Sequence, residues 1–248
     1  MSREHATGQG ERREDDFDWE RARPDIRGPY PGKLAFQKYF YLHFASFAII
    51  TPIMKTETEP KLAAPGAGLP PHELFVGRMI FALGRRFQSR AALRSRFERE
   101  RAAIVGLVGR CPVAQRGQRV LVDRSPGMED SSRYWSVWMT LDHLRITNLA
   151  FAMAVGSLAK GEVPSRKAST ADVKPDPKVD ASVEAAFASS CENYLRVERS
   201  IDALRTPLRY EHPWFGPLDA AGWHALAAGH MAIHRRQLEN ILKGLGEG

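Results

Sequence analysis

From His72 onward the chain repeats one pattern: apolar residues at three- and four-residue intervals, in runs that end at glycine or proline. In PHELFVGRMIFALGRRFQSRAALRSRFERERAAIVGLVG, Leu74, Phe75, Met79, Ile80, Leu83, Phe87, Ala91 and Leu93 keep that spacing, and Gly106, Gly109 and Pro112 mark its stop. A second run, SSRYWSVWMTLDHLRITNLAFAMAVGSLAKG, offers Ser131 or Ser132 as N-cap and ends at Gly161. A third extends from Ala181 to Leu204, and a fourth is capped by Asp219 and closes at Gly244. This period returns side chains to the same face on every helical turn, so each run makes a helix with a stripe to bury. Amphipathic helices of this length, joined by polar loops, predict an all-α four-helix bundle. No alternating stretch is long enough for a sizeable sheet; RVLVDR is a short strand-like piece. RTPLRYEHPWFGPL has three prolines, and Tyr210, Trp214 and Phe215 need burial, so an ordered turn is expected there.

The bundle domain is expected to span 71–248, behind an N-terminal extension. Residues 1–33 mix both charges with Gly and Pro, lack an apolar period and predict a disordered tail. The 34–70 stretch combines an apolar segment, Leu34–Met54, with the polar linker KTETEPKLAAPGAGLPP. A spanning helix needs about 20 apolar residues, and Leu34–Met54 is interrupted by Gln37, Lys38, His43 and Pro52. It also lies too far behind acidic residues to resemble a secretory signal. The expectation is therefore a cytoplasmic protein, with membrane anchoring through 34–54 as the alternative. The formal net charge is +7, and arginines crowd between Arg78 and Arg124. Such a crowd suits a nucleic acid or an anionic membrane, but no aromatic interleaving or nucleic-acid motif accompanies it. Solvated helix faces and no nucleic-acid partner are expected. Cys111 and Cys191 form no CxxC motif, which points to packed thiols in a reducing compartment.

The fourth run contains GHMAIHRRQLENI, which puts His230 and His234 four residues apart. Trp223, Ala227 and Gln237 share their helical face. Small neighbours, Ala225, Ala227, Ala228 and Ala232, let other helices approach, so both imidazoles should project into the bundle core. Two ligands do not make a metal site; a third must come from another helix. His143, in WSVWMTLDHLRITN, is the other histidine in the middle of an apolar helix. His224 falls on the opposite side of its helix, His212 in the turn, His72 at a helix start, and His5 and His43 in the extension. A three-histidine set leaves coordination positions open, the pattern of a catalytic site; the bland alternative is a group of packed core histidines. Met231 stands where a zincin peptidase carries its glutamate base, which excludes that enzyme class. Gln237, Thr140 and Thr147 are candidates to orient the imidazole N–H groups. Asp142 points about 100° around the helix from His143, and no catalytic base is nominated; Glu129 and Glu211 are the acids that loops could bring in.

Two blocks resemble the signatures of the DinB/YfiT-like superfamily. In YWSVWMTLDHL, Trp135 and Ser136 stand eight and seven residues before His143, as in the family's W-S…H-L block. HPWFGPLDAAGWHALAAGHMAIHRRQLENI is similar to H-P-x-x-G-x-L followed by H-x-x-x-H-x-x-Q-I. The resemblance covers Pro71 to Leu245 and implies a four-helix bundle from a bacterium. By position it implies that His143, His230 and His234 hold one divalent ion, with Gln237 matching the family's glutamine. Zn or Ni suits imidazole ligands best, with Fe and Mn as alternatives. The implied chemistry is hydrolysis by activated water, or S-transfer from a low-molecular-weight thiol such as bacillithiol or mycothiol to a small-molecule substrate. A homodimer stays open. The alternative is a non-catalytic, stress-associated binding or scaffold bundle.

Overall fold

The first apolar run is two helices, not one. In the computed structural model, which describes residues 59–246, α1 covers Pro71–Phe87 and α2 covers Arg90–Arg110. Gln88 between them is extended, and the Ser89 hydroxyl caps α2 by accepting from the Ala92 amide at 3.2 Å. No glycine or proline marks this break, so the period carries on across it while the backbone turns. The consequence is large: none of α1's residues is buried, whereas α2 buries Leu93, Phe97, Ile104, Leu107 and Val108. The tail 1–33 and the Leu34–Met54 segment lie outside the described residues.

The chain after α2 crosses in an antiparallel ribbon, β1 (Val120–Leu121) with β2 (Tyr134–Trp135). That pairing keeps the backbone extended through Trp135 and moves the next helix start to Ser136, whose hydroxyl accepts from Met139 N at 3.1 Å. Ser131 and Ser132, expected as caps, sit instead in a 3-10 turn at Asp130–Ser132. α3 then runs Val137–Ala159 and ends where Gly161 adopts a left-handed φ of 85°. α4, Ser182–Arg199, stops before the expected Leu204, which is still buried and whose carbonyl accepts from Ala221 N at 2.8 Å. The proline-rich turn forms a second ribbon, β3 (Tyr210–His212) with β4 (Gly216–Leu218). α5, Ala220–Gly244, carries the expected Asp219 cap.

The described residues are thus mostly helical, five helices with two short ribbons. α3 packs against both α4 and α5, and α5 against α2. The shared core includes Phe97, Leu144, Phe187, Tyr194, Met231 and Leu238, all nearly inaccessible to water. Each such burial stabilises by roughly 1.5–3 kcal/mol, so these contacts dominate the fold. The arginine crowd largely links helices: Arg90 and Arg94 hold buried Glu198, Arg85 holds Asp219, and Arg101 holds Glu192. Cys111 and Cys191 are buried thiols. No helix among the described residues is long and apolar enough to cross a membrane.

Candidate metal centre

The packing of α3 on α5 brings His143 against His230 and His234. One ring nitrogen from each lies within 4.8 Å of the others, and His143 Nε2 is 3.1 Å from His230 Nε2. Ligands about 2.0–2.1 Å from one ion stand roughly 3–4 Å apart, so a small closing movement completes the set. His143 and His234 are buried, while His230 is half-buried. Burial pushes His143 and His230 well below the ordinary imidazole pKa and His234 down to about 4; Lys174 further opposes protonation of His143 and His234, and protonating one ring would oppose protonation of His230. At neutral pH all three are therefore uncharged, the form that ligates metal.

Two of the rings have their tautomer set by what lies behind them. His143 Nδ1 is 2.6 Å from the Val173 carbonyl, an acceptor only, so Nδ1 carries the proton and Nε2 is left unprotonated. Gln237 Nε2 donates to the Ser132 carbonyl at 2.7 Å, which turns its Oε1 to accept from His234 Nδ1 at 2.7 Å. A loop carbonyl thereby sets an amide, and the amide sets an imidazole. His230 Nδ1 is buried with no hydrogen-bond partner among the described residues. Two Nε2 lone pairs facing each other at 3.1 Å would repel unless a proton or a cation lay between them. The donor set fits a divalent ion. Trp135 stacks on His234 at 6.0 Å and leans on His143 at 5.1 Å, fixing both ring planes.

The other sequence candidates fall elsewhere. Thr140 and Thr147 bond back to helix carbonyls, at Ser136 and His143 respectively, and reach no imidazole nitrogen. Glu211 is exposed. Glu129 is buried near the site, where burial would raise its pKa, but Lys174 at 2.7 Å holds the carboxyl below its ordinary value. Thr170 and Gly66 N occupy it further, so it is a poorly available base. His224, as expected, faces away: its Nδ1 accepts from Tyr194 Oη at 2.7 Å. Asp142 has a use that sequence spacing did not show. It accepts from Asp176 N at 3.0 Å, tying down the α3–α4 connection whose Val173 carbonyl orients His143. That connection carries no periodic signal that could have announced it.

The three imidazoles line a cavity of about 650 Å³ together with residues of α1. Trp214 and Phe215 of the β3–β4 turn are half-buried in its lining, and Phe215 packs on Phe81 of α1 at 4.7 Å between ring centres. His212 also lines it; burial pushes its pKa down to about 4, and its Nδ1 accepts from Trp214 N at 3.1 Å, holding the turn in place.

A family model described as the DinB superfamily matches residues 96–238, more than half of the chain. The solved structure of TT2238, a four-helix bundle protein, is similar at 20% identity with a TM-score of 0.46, covering 61% of this chain and 98% of that one. A comparison with curated proteins finds no match.

Proposed function

The chain belongs to the DinB superfamily, and from that premise we propose that it is a metal-dependent enzyme acting on a small molecule. His143, His230 and His234 would hold the ion, with α2–α5 as the superfamily's four-helix bundle around it. The observation that carries this reading is the meeting of three neutral imidazoles at a cavity large enough for a substrate. A divalent ion there, Zn or Ni before Fe or Mn, would supply Lewis acidity that lowers the pKa of a bound water or thiol toward neutrality. Water as nucleophile makes the protein a hydrolase; a low-molecular-weight thiol makes it an S-transferase. The chain's own part is to present unprotonated Nε2 atoms through Val173 and Gln237, and to exclude bulk water with Trp135 and the apolar cavity wall. Lys174, 5.5 Å over the Trp135 ring and paired with Glu129, places a cation beside the site, where it would favour an anionic nucleophile or leaving group.

Metal analysis of protein purified without a histidine tag tests the proposal. About one divalent ion per chain is expected. Less than stoichiometric metal after reconstitution with each first-row candidate would overturn it.

A further inference from the structure

Part of the cavity's lining comes from outside the part of the chain that matches the superfamily. α1 ends at Phe87, whereas the match begins at residue 96, yet Leu74, Gly77, Ile80, Phe81 and Gly84 of α1 all line the space in front of the imidazoles. Phe151 of α3 and Ile233 of α5 line it as well, so the walls are largely apolar. The volume, about 650 Å³, is that of a pocket for a drug-sized molecule, not for a water or a single amino acid.

Two features bear on what this space can take. Gly77 and Gly229 face it from opposite sides in the middle of helices, and a Cβ at either would meet nothing within 4 Å. A mid-helix glycine costs roughly 0.5–1 kcal/mol relative to alanine, and no close contact demands one here. A larger side chain at either position would occupy the cavity. The second feature is charge. The acids of the lining are all neutralised: Glu73 by Arg124, Glu129 by Lys174 and Asp172 by Arg166. Arg85 is taken by Asp219. Arg96 and Lys167 remain, with no hydrogen bond or ion pair among the described residues, so the walls carry a surplus of positive charge.

We propose that the substrate of this site is an apolar organic anion, with a hydrocarbon or aryl body lying between α1 and the α3–α5 face. The inference rests on the proposed function for the chemistry at the histidines, but not for binding. The superfamily part of the chain supplies the reacting centre, and α1 supplies the selection of an apolar body.

Calorimetric titration of metal-free, full-length protein with decanoate, and with decyltrimethylammonium as a chain-matched cation, tests it. Decanoate should bind at a single site, about tenfold or more tighter than the cation. Gly77→Leu and Gly229→Leu, which fill the cavity while improving helix propensity, should each weaken decanoate about tenfold or more. Arg96→Gln combined with Lys167→Gln should bring the anion and the cation to within a few-fold of each other. Leu83→Ser, on an exposed part of α1 outside the lining, should change nothing. Equal binding of the two amphiphiles, indifference to the glycine substitutions, or loss through Leu83→Ser would overturn the inference. Because no metal is present, that failure would leave the three-histidine reading standing. A protein that takes decanoate but never a divalent ion would overturn the proposed function and keep this one.

Discussion

α1 and α5 are both amphipathic helices, yet they are held in place by opposite means. α5 buries Trp223, Met231, Leu238 and Ile241 in the shared core, and its position follows from hydrophobic contact on several sides. α1 buries nothing; Phe75 is 66% and Phe87 76% exposed. Its attachments are directional: Arg85 to Asp219 at 2.6 Å, Arg78 to the Trp214 carbonyl at 2.6 Å, Glu73 to Arg124 at 2.5 Å, and one ring contact, Phe81 on Phe215. A half-exposed ion pair is worth about 0–1 kcal/mol, whereas one fully buried leucine is worth roughly 1.5–3 kcal/mol. An apolar period therefore promises a helix but not a place in the core. Here it makes one helix that carries two histidines of the candidate metal centre and another that lines the cavity beside it.

The largest effect is expected on divalent-ion binding. His230→Ala or His143→Ala should weaken divalent-ion binding on the order of a thousandfold, read by chelator competition, because two ligands do not make a site. His224→Ala, on the same helix, should leave that affinity within a few-fold. It should instead cost about 1–3 kcal/mol of stability, since the Tyr194 hydroxyl loses its buried acceptor. A similar loss of metal in His224→Ala would show that α5 cannot be divided into a binding face and a packing face.

Core and wall should separate next in denaturant melts. Leu144→Ala, at a fully buried position in α3, should cost about 2–5 kcal/mol. Ile80→Ala, 65% exposed in α1, should stay within about 0.5 kcal/mol. Equal costs would mean that α1 belongs to the core after all.

Acid sharpens the contrast from the other side. The folded-state pKa values of His143, His230 and His234 lie below the unfolded value near 6.5, so between the two the unfolded chain binds protons that the folded one refuses. Stability of the metal-free protein should be fully present above pH 6.5 and fall as the pH drops toward 4. His234 alone, with its pKa at about 4, should contribute on the order of 3 kcal/mol to that fall. The slope should flatten in His234→Ala and be unchanged in Ile80→Ala; a pH-independent melt would contradict the burial argument.

The smallest effect is expected at the tether. Arg85→Ala should cost less than about 1 kcal/mol, because the arginine is partly exposed and Asp219 keeps Arg209 at 3.2 Å. Amide exchange in α1 should nevertheless quicken while exchange in α5 does not. Protection lost equally from both would show that they unfold as one unit.

Much of the site was legible locally. Four residues between His230 and His234 is nearly one helical turn, Asp219 and Gly244 bound that helix, and the small residues around the pair mark a face other helices can approach. The blocks around Trp135 and His212 carried the family resemblance, which the match over 96–238 bears out. The break at Ser89 was not legible, because an N-cap serine works through one hydroxyl contact and leaves the apolar period on either side intact. Helical position alone offers Thr140 and Thr147 as orienting residues, but a threonine hydroxyl inside a helix finds its own backbone first.

What local sequence determined, then, is each helix, its caps and the face on which its histidines stand, since these depend on residues within a turn or two of each other. Only the tertiary structure decided that α3 and α5 meet at His143, that Val173 from a loop and Gln237 through the Ser132 carbonyl set the imidazole tautomers, and that α1 stands off to leave a cavity. Those outcomes join residues 30 to more than 100 positions apart, as His143 to Val173 and Gln237 to Ser132 do, through hydrogen bonds and packing that leave no periodic trace in the chain.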